Sequence, residues 1–369
     1  MTVVEIAGSG LAELTCARLL ADRGHQVRLR VGTTLGPRPL LLNAPTLSLL
    51  QDLWPAGQGG NEPPHSVGQD LPDCSWPLTH RQVRWGPGQP TRRIPQAAWA
   101  LDGALLAARL RERLATHPNA VELVAAKARP AATAEWTVTA APVGASHWEA
   151  GRRCLLAGEA PLASGQDEAT AQLHTTALGW LQLVPLGHGT ALAQAMVPGP
   201  VERPADLLTR LLAESGLSPL LRHPPKAATV LAAAPRLHLA PATAPRKGTP
   251  GLLIVGAGAV RFDPLSGTGT AQALRTAVLA AAVIGSTAAG APADRLCTHY
   301  TMRLRGAFAA HLDTCARLYA AAFDVPAWHH ELDATRFPPP RAHDTGLYLY
   351  NGRLLPEPAP SKGLAAGAE

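Results

Sequence analysis

The sequence has little lysine: Lys127, Lys226, Lys247 and Lys362 are all that occur in 369 residues. The arginines are scattered without a long basic run, so the formal charge of +6 lacks the clustering that a nucleic-acid surface needs. The five cysteines, Cys16, Cys74, Cys154, Cys297 and Cys315, are far apart, odd in number and contain no Cys-x-x-Cys pair. That spacing implies neither a zinc site nor a disulfide framework and points to reduced thiols in a cytoplasmic setting. The N-terminus carries Glu5, lacks a basic region and runs into a glycine turn, so it is expected to be a buried strand and not a secretory leader. The longest apolar stretch, around Ala277 to Ala289, is interrupted by Gly285 and is short for a bilayer. Neither a membrane nor a nucleic-acid partner is expected.

What the chain does contain is apolar residues in patterned runs. With 46% hydrophobic and 16% charged residues it can bury a core large enough for two closely joined domains. Val3 to Ala7 is a short apolar run, followed by Gly8-Ser9-Gly10, a helical pattern from Leu11 to Arg23, a stop at Gly24 and a second run from Gln26 to Val31. Strand, glycine turn, helix and strand within about thirty residues is the length of a βαβ unit with parallel strands. Gly8 permits the tight turn, and Gly10 lets a diphosphate approach the N–H groups of a helix N-terminus, where the dipole favours anions.

Between Gly32 and Pro95 the prolines Pro63, Pro64, Pro72, Pro77, Pro87 and Pro90 argue for irregular or edge-strand structure, with one helix near Thr46 to Leu53. Asp102 to Thr116 reads as an amphipathic helix, with Leu101, Leu105, Leu106, Leu110 and Leu114 on its apolar stripe. Val121 to Ala126, Glu135 to Ala140 and Arg153 to Ala157 read as strands returning to the sheet begun at Val3. Gln172 to Thr176, Gly179 to Leu186 and Ala191 to Val197 form an antiparallel set, the last two joined by a Gly187-His188-Gly189 hairpin. A helix at Asp206 to Ser215, a buried strand at Leu252 to Val255, a long helix from Thr270 to Ile284 and helical residues to Phe323 complete the pattern. Beyond Phe337 the chain is proline-rich and predicted to be partly disordered.

Asp263-Pro264-Leu265-Ser266-Gly267-Thr268-Gly269, opening a helix that continues through Arg275, resembles the flavin-closing motif of FAD-dependent monooxygenases and flavin-dependent halogenases. The strand ending in Gly256-Ala257-Gly258, the segment Gly179 to Leu186 and the segment Trp99 to Gly103 match the family in order and spacing, so the resemblance covers about residues 1 to 290. The Asp-Pro-Leu-x-Gly-x-Gly form, with His311, Leu312, Cys315 and Tyr319 following on a helix, is most similar to the flavoprotein monooxygenases that mature tryptophylquinone enzymes. The halogenase motif Trp-x-Trp-x-Ile-Pro and a counterpart of the halogenase lysine are missing, which ranks hydroxylation above halogenation.

The resemblance implies an α/β fold of the two-dinucleotide-binding-domain kind. A Rossmann-like FAD domain (1–35, 97–165 and 250–290) carries an antiparallel-sheet substrate domain (36–96 and 166–249), C-terminal helices (291–335) and a tail (336–369). Its implied cofactor is FAD, held by Gly8, Gly10, Leu11, Ala12, Gly256, Asp263, Pro264, Gly267, Thr268 and Gly269, with Trp180 and Pro185 toward the substrate. The implied reaction is hydroxylation of an aromatic ring, a small molecule or a tryptophan in a partner protein, with electrons from NAD(P)H or a separate reductase. No acid–base pair stands out, since oxygen transfer to an electron-rich ring needs water exclusion and positioning more than a strong base.

Three positions depart from the family pattern. Glu13 stands at the third glycine position, Val31 closes the second strand where an acidic residue usually grips the ribose, and Ala257 replaces the ribityl-binding aspartate. They motivate a second expectation, a flavoprotein-fold maturation or binding factor without redox activity. Arg275 is read as a surface residue that could reach Glu13 or a phosphate, His188 as an exposed turn residue, and His329-His330-Glu331 as a solvated cluster without metal.

Overall fold

The computed structural model describes residues 1–32, 39–55, 75–117, 119, 121–141, 146–336, 347–350 and 352–356. Two sheets organise them. The first has six strands in the order Ala242–Thr243, Gly251–Ile254, Trp136–Thr139, Val3–Ala7, Gln26–Val31 and Val121–Ala125. All its neighbours are parallel except the short Ala242–Thr243 pairing. The N-terminal βαβ unit is as expected: Val3 pairs with Gln26 and Ala7 with Arg30, joined by the helix Leu11–Asp22.

The second sheet has eight strands, in the order Thr229–Ala232, Cys154–Pro161, Thr190–Val197, Trp180–Gly187, Thr170–Thr175, Trp76–Arg84, Arg92–Asp102 and Pro39–Asn43. Its ladder is antiparallel except between Thr170–Thr175 and Trp76–Arg84. The strand that begins at Cys154 therefore belongs here and not, as expected, beside Val3. Apolar pattern identifies a strand but carries no information about its partner. Within the proline-rich stretch, Trp76–Arg84 and Arg92–Asp102 are long strands that include Pro77 and Pro95. Pro77 lies beyond the pairing with Thr170–Thr175 and Pro95 beyond the pairing with Pro39–Asn43, so each is paired on one side only, as strand prolines usually are. Pro63, Pro64 and Pro72 fall outside the described residues.

Helix boundaries follow local chemistry. Asn43 caps Ala44–Leu53 by accepting from Thr46 N–H at 3.0 Å, and Asp102 caps Gly103–Ala115 by accepting from Ala104 N–H at 2.7 Å. The helix Gly269–Ala288 is long and apolar enough by composition to cross a membrane, yet most of it is buried. Its small residues Ala277, Ala280 and Ala281 join one core with Val4, Ile6 and Leu14 from the first βαβ unit and Tyr300 and Phe308 from the helix Ala293–Ala320. A shorter helix, Pro326–Asp333, and a hairpin of Leu347–Tyr350 with Arg353–Pro356 follow.

Candidate functional site

The carboxyl ends of the central strands of the first sheet converge on the glycine loop. Gly8 has a φ of +135°, open to glycine alone at low strain, and its N–H donates to Arg30 O at 3.1 Å. Gly10 is the N-cap of the helix that begins with Leu11 and Ala12. Ala12 meets Gly256, where an added Cβ would lie 3.2 Å from the Ala12 methyl. Gly256 N–H donates to Thr276 Oγ1 at 2.8 Å, which ties this glycine to the long helix. Gly8, Gly10, Leu11, Ala12 and Gly256 are thus brought together from segments some 245 residues apart in sequence (256 − 11 = 245).

Glu13 sits inside this loop. Its side chain is 5% exposed, and its carboxylate fills the space that the glycines leave: a Cβ on Gly8 would overlap Oε1, and one on Gly10 would lie 2.8 Å from Oε2. Ala140 N–H donates to Oε1 at 3.3 Å. Burial pushes the carboxyl above its ordinary range, against the backbone N–H groups of Glu13, Ala140 and Gly10. This is the carboxylate half of a capping box, an acid three residues past the N-cap turned back onto the helix end. Arg275 is exposed on the long helix, and Ala257 is exposed beside Gly256. Val31 packs against the core, and the strand's preceding residue, Arg30, pairs with buried Glu5 at 2.7 Å.

The second half of the site is the loop before the long helix. Pro264–Ser266 forms a single 3-10 turn, Gly267 closes it at a φ of +61°, and Thr268 is the N-cap of Gly269–Ala288. Ser266 Oγ and Thr268 Oγ1 are 2.8 Å apart. Space is open at the Cβ positions of Gly267 and Gly269, so this helix end, unlike the first, is free to receive a ligand.

Asp263 does not face that space. Its carboxylate is buried and accepts from Leu265 N–H at 2.9 Å, Arg153 Nε at 3.1 Å and the Tyr319 hydroxyl at 2.8 Å. Arg153 in turn donates from Nη1 to Glu331 Oε2 at 2.9 Å, and Trp180 Nε1 donates to the Tyr319 hydroxyl at 3.1 Å. Burial alone depresses the Arg153 guanidinium, but Asp263, Tyr319 and Glu331 outweigh it and keep it charged. Asp263 N–H donates to His311 Nε2 at 2.8 Å, so the imidazole proton resides on Nδ1. Burial, then Arg153, brings His311 down to about 4, and its ring stacks on Phe262 at 4.1 Å.

This network was only partly visible in the sequence. Nothing marks Arg153, the second of two adjacent arginines before a strand. Glu331 is buried and ion-paired, which corrects its reading as part of a solvated cluster: the helix Pro326–Asp333 turns it inward while His329 stays outside. Trp180 is buried against Tyr319 and Trp328 in the interior, whereas Pro185, five residues on, faces the opposite side of the same strand with Leu181 and Leu183. The two expected substrate-side residues are therefore not brought together. His188 is exposed in the hairpin as expected, and no cluster of metal-ligating residues occurs among the described residues.

A scan against protein-family models finds no match to this sequence, and a search of curated proteins finds none either. Solved structures do match. The peptidyl tryptophan dihydroxylase QhpG, essential for tryptophylquinone cofactor biogenesis, superimposes with a TM-score of 0.75 at 19% identity, covering 96% of this chain and 86% of its own. The flavin-dependent halogenase CmlS matches with a TM-score of 0.66 at 15% identity, covering 91% of this chain and 68% of its own. The p-nitrophenol 4-monooxygenase PnpA from Pseudomonas putida DLL-E4 matches with a TM-score of 0.64 at 15% identity, covering 91% and 96%. At such identities the likeness speaks for architecture, and the chain has the fold of the FAD-dependent monooxygenases and flavin-dependent halogenases.

Proposed function

We propose that this protein is an FAD-dependent monooxygenase that hydroxylates an aromatic ring, with a tryptophan side chain of a partner protein as the favoured substrate. The observation that carries the reading is the open helix N-terminus at Gly269, on a helix whose Thr276 also holds Gly256 beside a dinucleotide-type glycine loop, in a fold shared with such enzymes. Its residues fit the flavin ring: Gly267 and Gly269 present bare backbone, and a helix N-terminus stabilises negative charge on a reduced ring. The diphosphate end fits except at Glu13, whose carboxylate fills the approach.

When bound, reduced flavin activates dioxygen, and the balance is ring C–H plus O₂ plus NAD(P)H and a proton giving ring C–OH, water and NAD(P)⁺. The chain's own residues hold the loop: Asp263 fixes Leu265 N–H, and Arg153 with Tyr319 fixes Asp263. The tryptophan preference rests on the likeness to QhpG and on the Asp263 to Gly269 form.

The test is direct. Purified protein is mixed with FAD, a reductant and a tryptophan-bearing peptide, and the flavin band at about 450 nm and the peptide mass are followed. Flavin uptake with gain of one oxygen supports the reading; a folded protein that takes up no FAD under any condition overturns it. The filled glycine loop and Ala257 favour one second reading, a maturation or binding factor of the same fold without redox activity. Flavin uptake with reductant-driven O₂ consumption rules that out. Product that depends on chloride or bromide would instead identify a halogenase.

A further inference from the structure

The glycine loop carries an anion of its own. In a dinucleotide loop the second glycine lacks a side chain so that the diphosphate can approach the backbone there. In this chain the space on the side of Gly10's missing Cβ is taken by Glu13 Oε2, and that of Gly8 by Oε1. The helix N-terminus attracts negative charge, and Glu13, its sole first-turn acid, already supplies it.

Among the described residues, no cation pairs with this carboxylate. The groups that meet it among the described residues are backbone N–H groups, those of Ala140, Glu13 and Gly10. The titratable side chain that faces it from its own helix is Cys16, a thiol that burial pushes up to about 12 and so leaves uncharged. Ala140 and Thr139 from the neighbouring strand, Gly256 from the turn beyond Ile254, and Ser9 in the loop bring no charge. A diphosphate arriving here would meet a like charge in a poorly solvated place, where Coulomb repulsion is weakly screened.

We infer that Glu13 is the determinant of dinucleotide affinity in this chain, a resident carboxylate that competes with the diphosphate of the cofactor for the same helix N-terminus. The inference rests on the flavoprotein reading of the fold. It goes further in assigning weak retention of FAD to one side chain and in confining the effect to the phosphate-bearing part of the ligand.

Equilibrium binding at pH 8 tests it, with FAD, ADP and riboflavin as separate probes and wild type, Glu13→Gln and Glu13→Gly as proteins. Circular dichroism and thermal unfolding show that each variant is folded, and Glu13→Gly serves if the glutamine variant is not. The expected result is a gain of about tenfold or more in affinity for FAD and ADP on loss of the charge, with riboflavin affinity unchanged. Equal FAD and ADP affinity in wild type and both variants overturns the inference while leaving the flavoprotein reading intact. A gain of the same size for riboflavin also overturns it, because that ligand has no phosphate. Folded variants that bind none of the three probes overturn both this inference and the flavoprotein reading.

Discussion

The Tyr319 hydroxyl lies 2.8 Å from each carboxylate oxygen of Asp263, sharing one proton between two acceptors. The same oxygen accepts from Trp180 Nε1, so a single phenol joins the eight-stranded sheet to the loop before Gly269. Tyr319→Phe keeps the ring stacked near Trp328 but leaves a buried carboxylate short of a donor and a buried indole N–H without an acceptor. Stability is expected to fall by roughly 1.5–3 kcal/mol, read from denaturant midpoints at neutral pH. A change within experimental error would show that the shared proton contributes nothing.

Among the described residues, Arg153 is the cation that pairs with both Asp263 and Glu331. Arg153→Met preserves volume but strands two buried carboxylates, and breaking such a pair from one side costs about 3–5 kcal/mol. Glu331→Gln is the milder change, since Arg153 keeps Asp263 and the amide oxygen still accepts from Arg152 N–H. The expected ranking in thermal unfolding is wild type, then Glu331→Gln, then Arg153→Met well below. The reverse order would mean that the ion cluster is not held as described.

His311 gives a pH signature. Its folded-state value, about 4, lies below the ordinary 6.5 because of burial and then Arg153, so the unfolded chain binds this proton first. The stability linked to this group is fully present above the ordinary value and is lost as pH falls from there toward 4. By pH 5 this amounts to about 2 kcal/mol. His311→Gln, whose side-chain oxygen can still accept from Asp263 N–H, removes that dependence. Denaturation at pH 7 and pH 5 should show the variant losing about 2 kcal/mol less than wild type; parallel losses would refute the assignment.

Gly269 separates site from scaffold. Its Cβ position is open and it is helical, so Gly269→Leu is expected to leave unfolding of the free protein unchanged or raise stability by about 0.5–1 kcal/mol. Riboflavin or FAD uptake should drop sharply, because the side chain enters the space assigned to the ring. Unchanged uptake would move the ring elsewhere.

The N-terminal βαβ unit and the Asp263 to Gly269 loop were legible because backbone geometry there demands glycine and a defined spacing, and both survive in the residues themselves. The neighbour of the strand beginning at Cys154 was not, since alternation of apolar residues is the same in either sheet. Arg153 and Glu331 were invisible for another reason. A buried ion pair leaves no periodic trace, and each residue alone resembles a surface charge. Asp263 was read as a cofactor-binding residue, because sequence cannot tell a side chain that faces a ligand from one that turns inward to hold the backbone. Glu13 looked like a lapse in a fingerprint; its coordinates show a side chain with a place of its own.

The ion cluster also orders events during synthesis. Chains emerge N-terminal end first, so Arg153 leaves the ribosome long before Asp263, and Glu331 follows 68 residues after that (331 − 263 = 68). Until the helix Pro326–Asp333 arrives, the guanidinium has at most one of its two carboxylates and Arg152 N–H lacks its acceptor. The ion cluster behind the loop beside Gly269 is therefore completed only once the later helix Pro326–Asp333 has been made.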